Sequence, residues 1–72
     1  MKTAMYQVIQ SKAGQSIKLR LSEPRDGFRR DPLRNDKYLT HSAEMSVDAA
    51  KALFPALAAE GYAMRKGENI IR

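Results

Sequence analysis

Side chains that could carry out acid–base or nucleophilic chemistry are few in this 72-residue chain. The only histidine is His41, and its neighbours Thr40 and Ser42 point to the opposite face if this segment is a strand. A nucleophile, a base and an orienting group are therefore not brought together here. The four carboxylates between residues 23 and 37 lie near arginines or lysines, which favours local ion pairs. We predict that the protein is not an enzyme.

Metal and cofactor sites are not expected either. The chain has no cysteine, which excludes disulfides and thiolate ligands, and one histidine is too few for a usual zinc site. Its four glycines, at positions 14, 27, 61 and 67, form no phosphate-binding loop motif. At this length residues 1–72 form a single domain near the lower size limit for independent folding. A homodimer is one route to further stability.

Basic side chains are the remaining candidates for a functional role. There are 13 lysines and arginines against 8 acidic residues, so the net charge is +5. Residues 1–22 carry +4 and residues 61–72 carry +2, whereas residues 38–60 carry −2. Residues 23–37 contain five basic and four acidic residues and are nearly neutral. The excess positive charge therefore lies outside residues 23–37, and it suits an anionic partner such as nucleic acid.

Residues 4–22 have the pattern of a β-hairpin. Two segments with alternating apolar residues flank the sequence KAGQ, whose glycine permits a turn. A loop made of Ala13 and Gly14 would place Tyr6 opposite Leu21. One face of this hairpin is then apolar, and the other face is mixed and basic.

The segment after the hairpin is predicted to form a long charged loop over residues 23–37. Pro24, Gly27 and Pro32 are turn-forming residues, and a loop of this length is typical of functional or mobile segments. Residues 38–45 alternate weakly between apolar and polar side chains, which indicates a third strand.

A helix is predicted from Val47 to Glu60, with Ser46 as its N-cap and Gly61 as its left-handed stop. Pro55 lies on the side away from the apolar stripe, where it would bend one helix around the core. The alternative is two short helices that break before this proline. The apolar stripe recurs at helical spacing and consists of Val47, Ala50, Leu53, Phe54 and Leu57.

The C-terminal residues complete the expected fold. After Gly61 the sequence forms either a short hairpin that turns at Gly67 or one strand followed by a tail. The predicted fold class is α+β, with the order β-β-loop-β-α-β and room for one more short strand. A small antiparallel sheet should carry the single main helix on its apolar face.

Residues 49–72, AAKALFPALAAEGYAMRKGENIIR, also resemble the second half of a SPOR-type peptidoglycan-binding domain. In such domains, too, a helix ends in a small residue followed by Gly-Tyr, and a strand comes next. The resemblance covers a third of the chain, and the first half lacks the matching helix. No site residue is carried over from it.

The charge distribution predicts a non-catalytic binding module that engages nucleic acid or a nucleic-acid-handling protein complex. A basic sheet face backed by a helix can contact phosphates with ammonium and guanidinium groups spaced along its surface. Lys18 and Arg20 would equally suit a solvated sheet face, and Phe28 could pack under its own loop instead of stacking on a base. The candidate binding residues are Lys12, Lys18, Arg20, Arg25, Phe28, Arg29, Arg30, Arg34, Lys37, Arg65 and Lys66.

The alternative function is a protein inhibitor encoded by a phage or mobile element. In size and style the chain resembles anti-CRISPR proteins, which are small, cysteine-free inhibitors of a host complex. The 23–37 loop would dock on the partner, because its alternating charges, as in Arg25/Asp26 and Arg30/Asp31, could match a complementary pattern.

A membrane partner is not expected. The longest apolar-leaning run, residues 49–59, is interrupted by Lys51 and is too short to span a bilayer. The N-terminal residues have the pattern of a strand and lack the apolar stretch of a signal peptide. We therefore expect a cytoplasmic protein.

Overall fold

A computed structural model describes residues 2–26 and 39–72 of the chain. They form five strands and one helix: β1 (Thr3–Ser11), β2 (Gly14–Asp26), β3 (Leu39–Ser46), α1 (Val47–Ala59), β4 (Ala63–Lys66) and β5 (Ile70–Ile71). The predicted α+β class, with one helix and one extra short strand, is confirmed. The predicted 23–37 loop is shorter at its start, because residues 23–26 belong to β2, and residues 27–37 lie outside the described residues.

The sheet is mixed and not antiparallel throughout, which corrects our expectation. Its strand order is β3-β2-β1-β4, and β5 pairs with the same edge of β1 as β4 does. The pairs β1–β2 and β2–β3 are antiparallel, whereas β4 and β5 run parallel to β1. Two successive antiparallel pairings make β3 parallel to β1. The crossover through α1 then returns the chain in the same direction, as helical crossovers do.

The hairpin register differs from the prediction by two residues. Tyr6 lies opposite Leu19, and Ser11 lies opposite Gly14, so the loop consists of Lys12 and Ala13. Gly14 takes the positive φ of 120° at the first position of β2, outside the loop. The turns favoured in two-residue hairpin loops need positive φ angles to match the twist of the strands. Here Gly14, directly after the loop, has the positive φ, whereas Lys12 and Ala13 do not. Because a shift of two residues preserves side-chain alternation, the apolar and basic faces remain as predicted.

Strand β2 is irregular between Arg20 and Arg25. Arg20 pairs with Ser42 and Arg25 pairs with Thr40. An advance of five residues along β2 therefore matches an advance of only two along β3. Pro24 lies in this stretch, where its missing N–H removes no regular ladder bond. The irregularity brings Arg25 to the C-terminal end of α1.

Helix α1 has well-formed caps at both ends. The Ser46 hydroxyl accepts a hydrogen bond from the N–H of Ala49 at 3.1 Å, which confirms the predicted N-cap. At the other end the N–H of Tyr62 donates to the carbonyl of Leu57 at 3.0 Å, and Gly61 has a φ of 97°. This is a Schellman ending, which also explains the helix-Gly-Tyr-strand junction. The helix is continuous through Pro55, so the alternative of two short helices is wrong.

The core lies between α1 and the apolar face of the sheet. Leu57 from the helix and Leu19 from β2 are both fully buried. They form one cluster with Ala4, Leu21, Ala43 and Tyr62, against which Tyr6, Met45, Leu53, Phe54 and Met64 pack. The predicted stripe of α1 therefore faces the sheet. Within the part of the chain that the structure describes, no helix is long and apolar enough to cross a membrane.

Candidate functional site

The candidate site lies on the face of the sheet opposite α1, which we call the front face. Side chains alternate along a strand, and Ala4, Leu19 and Leu21 point towards the helix. Their neighbours in the sequence therefore point to the front. The front face carries Thr3, Met5, Gln7 and Ile9 from β1, Lys18 and Arg20 from β2, Ser42 and Glu44 from β3, and Arg65 from β4.

Two arginines flank Met5 across the front face. Met5 is the direct partner of Arg20 in the antiparallel ladder and of Arg65 in the parallel one. Arg20 and Arg65 are therefore two strand spacings apart, about 10 Å between their Cα atoms. Both side chains are exposed. Neither makes an ion pair or a hydrogen bond with its side chain in the described ranges, 2–26 and 39–72.

A cleft of about 430 Å³ opens between these two arginines, and we call it the arginine cleft. Met5 lies between the two arginines, and the lining also includes Leu21, the hydroxyl-bearing residues Thr3 and Ser22, and Lys66 at the sheet edge. The Ser22 hydroxyl accepts a hydrogen bond from the backbone N–H of Thr3 at 2.8 Å, so its own hydrogen remains able to donate. None of the described residues that line the cleft is acidic.

The remaining basic candidates are distributed over several places. Lys12 lies exposed at the tip of the hairpin, and Lys18 lies on the front face opposite Glu44. Arg25 is already engaged, because its Nε and Nη2 atoms donate to the carboxylate of Glu60 at 3.1 and 2.8 Å. The other five candidates, Phe28, Arg29, Arg30, Arg34 and Lys37, lie outside the described residues.

An ion pair crosses the front face beyond the arginine cleft. Arg72 follows β5 and donates two hydrogen bonds to the carboxylate of Glu44, at 3.0 and 3.1 Å. Strands β1 and β2 lie between β5 and β3, so this pair spans two strands. Ile9, which we expected on the mixed face, lies there but is only 1% exposed, in agreement with a side chain passing over it. The hydrogen bonds and the charge of Glu44 raise the pKa of Arg72 above its ordinary value.

Aromatic side chains in the described part of the chain lie on the helix side. Tyr62 is buried in the core cluster, and the rings of Tyr6 and Phe54 are 5.1 Å apart beside it. A second cavity, of about 260 Å³, lies between α1 and the hairpin and is lined mainly by apolar residues including Val8 and Ile17. The front face thus offers cations and hydroxyls but, among the residues described, no aromatic platform for stacked bases.

Side chains that could bind a metal ion are not clustered in the described part of the chain. His41 is exposed on β3. No three histidine, aspartate or glutamate side chains among the described residues lie close enough together to hold a metal ion. What the front face does offer is two exposed arginines, Arg20 and Arg65, whose N–H groups can donate to an anion.

Sequence reasoning found Arg20 and Arg65 individually but missed the arrangement that joins them. The parallel pairing of β4 with β1 places Arg65 beside Met5, and the antiparallel prediction gave no such neighbour. The crossover rule for a strand-helix-strand unit was the signal that could have found it. Comparison of the chain with protein-family models, with curated proteins and with solved structures finds no match.

Proposed function

We propose that this protein is a non-catalytic module that binds single-stranded nucleic acid through phosphate contacts on the front face. The observation that supports this most directly is the row Arg20–Met5–Arg65, in which two exposed guanidinium groups flank one shallow cleft. Guanidinium groups bind phosphate oxygens in pairs through parallel N–H donors. Lys18 adds a further cation on the same face, next to Arg20 along β2.

The mode of binding we propose is contact with the backbone and not recognition of bases. Base recognition on a sheet uses aromatic side chains as stacking platforms. The aromatic residues that the structure describes are on the helix side, so they cannot serve the front face. Affinity should therefore depend weakly on sequence and strongly on salt.

The test is the salt dependence of binding to an unstructured oligothymidylate, measured by fluorescence anisotropy. Three contacts, from Lys18, Arg20 and Arg65, predict a slope of log K against log salt of about −2. Replacing Arg20 and Arg65 together by glutamine should flatten this slope by about 1 to 1.5. Both side chains are exposed, so the melting temperature should change little.

The matched control is Lys51→Gln, which removes one positive charge from the helix side of the molecule. The salt slope of this control should stay close to that of the parent protein. Arg20→Gln alone should make the slope less steep. Binding that does not depend on salt, or no binding at low salt and micromolar protein, would exclude the proposed function. The loop-docking alternative depends on residues 27–37, which lie outside the described residues, and no observation on the described chain favours it.

A further inference from the structure

The arginine cleft differs from a general basic surface in its shape and in its donors. Its volume of about 430 Å³ falls in the range of roughly 300–1,000 Å³ that is usual for ligand pockets. Arg20 from β2 and Arg65 from β4 line it, and the Ser22 hydroxyl can donate from the end near the start of β1. Donors that converge from several sides fit one compact anion better than an extended chain.

The charge of the cleft identifies the kind of anion. Arg20 and Arg65 bring two positive charges to the cleft, and none of the described residues that line it is acidic. A phosphodiester carries one negative charge and two free oxygens. A phosphomonoester carries about −1.5 to −2 at neutral pH and offers three strong acceptor oxygens. The phosphomonoester therefore matches both the charge and the number of donors more closely.

The ion pair between Arg72 and Glu44 limits the phosphate contacts that are available beyond the cleft. Next to the cleft on the front face are Lys18 and Glu44, which are partners in the ladder between β2 and β3. Beyond them lies the region that the Arg72 side chain crosses to reach Glu44. Arg72 donates two hydrogen bonds to the Glu44 carboxylate there, so its guanidinium group is already engaged. A nucleic-acid strand that continues from the cleft therefore meets Lys18 but, among the described residues of the front face, no further guanidinium group without a partner.

From these observations we infer that the arginine cleft holds a terminal phosphate group, that is, a phosphomonoester at the end of a nucleic-acid strand. This inference rests on the proposed function and specifies its ligand. Met5 lies between the two arginines of the site, and the sugar next to the phosphate would lie at the open mouth. The same phosphomonoester chemistry occurs in a free mononucleotide, and the experiment separates the two sources.

The experiment compares four probes: an oligothymidylate of about ten nucleotides with a 5′-phosphate, one with a 3′-phosphate, one with two hydroxyl ends, and thymidine monophosphate. A slightly longer strand with hydroxyl ends controls for total charge. One of the phosphorylated strands should bind at least about tenfold more tightly than the hydroxyl strand, as expected for added charge-assisted hydrogen bonds. Arg65→Gln should reduce this ratio to nearly one, whereas Lys51→Gln should preserve it.

The outcomes distinguish this inference from the function on which it rests. Equal binding of phosphorylated and hydroxyl strands would overturn the terminal-phosphate site and leave the proposed function standing. A preference that survives Arg65→Gln would also overturn it, because the phosphate would be bound elsewhere. If no strand binds, the proposed function fails. Binding of thymidine monophosphate as tight as that of the phosphorylated strand would support the cleft and assign it to a small nucleotide.

Discussion

At the scale of single residues, Gly61 shows how one backbone position ends the helix and starts β4. Its φ of 97° is in the region that L side chains rarely adopt. The turn allows the N–H of Tyr62 to reach the carbonyl of Leu57, and both of these side chains belong to the core cluster. The chain is thereby redirected into the strand that carries Arg65.

We expect Gly61→Ala to lower the free energy of unfolding by about 1 kcal/mol, because a Cβ atom is disfavoured at positive φ. A Cβ atom built there meets no atom within 4 Å, so the cost is conformational and not a clash. Gly61→Asn is the control, since asparagine tolerates this region better, and it should recover part of the loss. Urea denaturation measures both variants. An alanine variant as stable as the parent protein would contradict the observed helix ending.

At the scale of elements, Pro55 weakens a helix on which the sheet depends. The residue is exposed, and it lacks the N–H that would donate to the carbonyl of Lys51. The buried residues of α1, Ala50 and Leu57, lie on the other side of the helix. The helix therefore remains continuous because its packed face holds it in place.

Pro55→Ala is predicted to stabilise the protein by about 1–3 kcal/mol, since proline in a helix interior costs about 3 kcal/mol relative to alanine. Thermal unfolding should show the gain as a higher melting temperature. Pro55→Gly restores the N–H without the helix propensity of alanine, so it should fall between the two. A less stable alanine variant would contradict this prediction. It would show that the helix needs the proline in order to pack against the sheet.

At the scale of the whole molecule, electrostatics separates binding to a polyanion from docking on a protein. The net charge of +5 becomes +7 when Asp26→Asn and Asp31→Asn each remove one negative charge. If the protein binds phosphates, this variant should bind an oligonucleotide more tightly at fixed salt, because long-range attraction increases.

The docking alternative predicts the opposite sign for these aspartate changes. In this case the aspartates would pair with cations of the partner protein. Deleting one member of such a buried pair typically costs about 2–5 kcal/mol of binding free energy. The measurement is the affinity of the double variant for an oligonucleotide and for any protein recovered from the native host. If the double variant binds both the oligonucleotide and the recovered protein more weakly, the 23–37 segment forms the main contact with the partner.

The sequence by itself determined the features that depend on local patterning. Alternation fixed which side chains of β1 and β2 face the core, and it did so despite an error of two residues in the hairpin register. Helical spacing, Ser46 and Gly61 located α1 to within one residue. Alternation also predicted a basic front face, because Lys18 and Arg20 alternate with the buried residues Leu19 and Leu21.

Tertiary structure alone decided which distant segments meet. The parallel pairing of β4 places Arg65 next to Met5, 60 residues away in the chain, and this creates the arginine cleft. The irregular end of β2 brings Arg25 to Glu60, and the path after β5 brings Arg72 to Glu44. Periodicity along a segment records which side is buried but not which strand lies beside it. Strand neighbours follow from the crossover of α1 and the packing of the whole sheet.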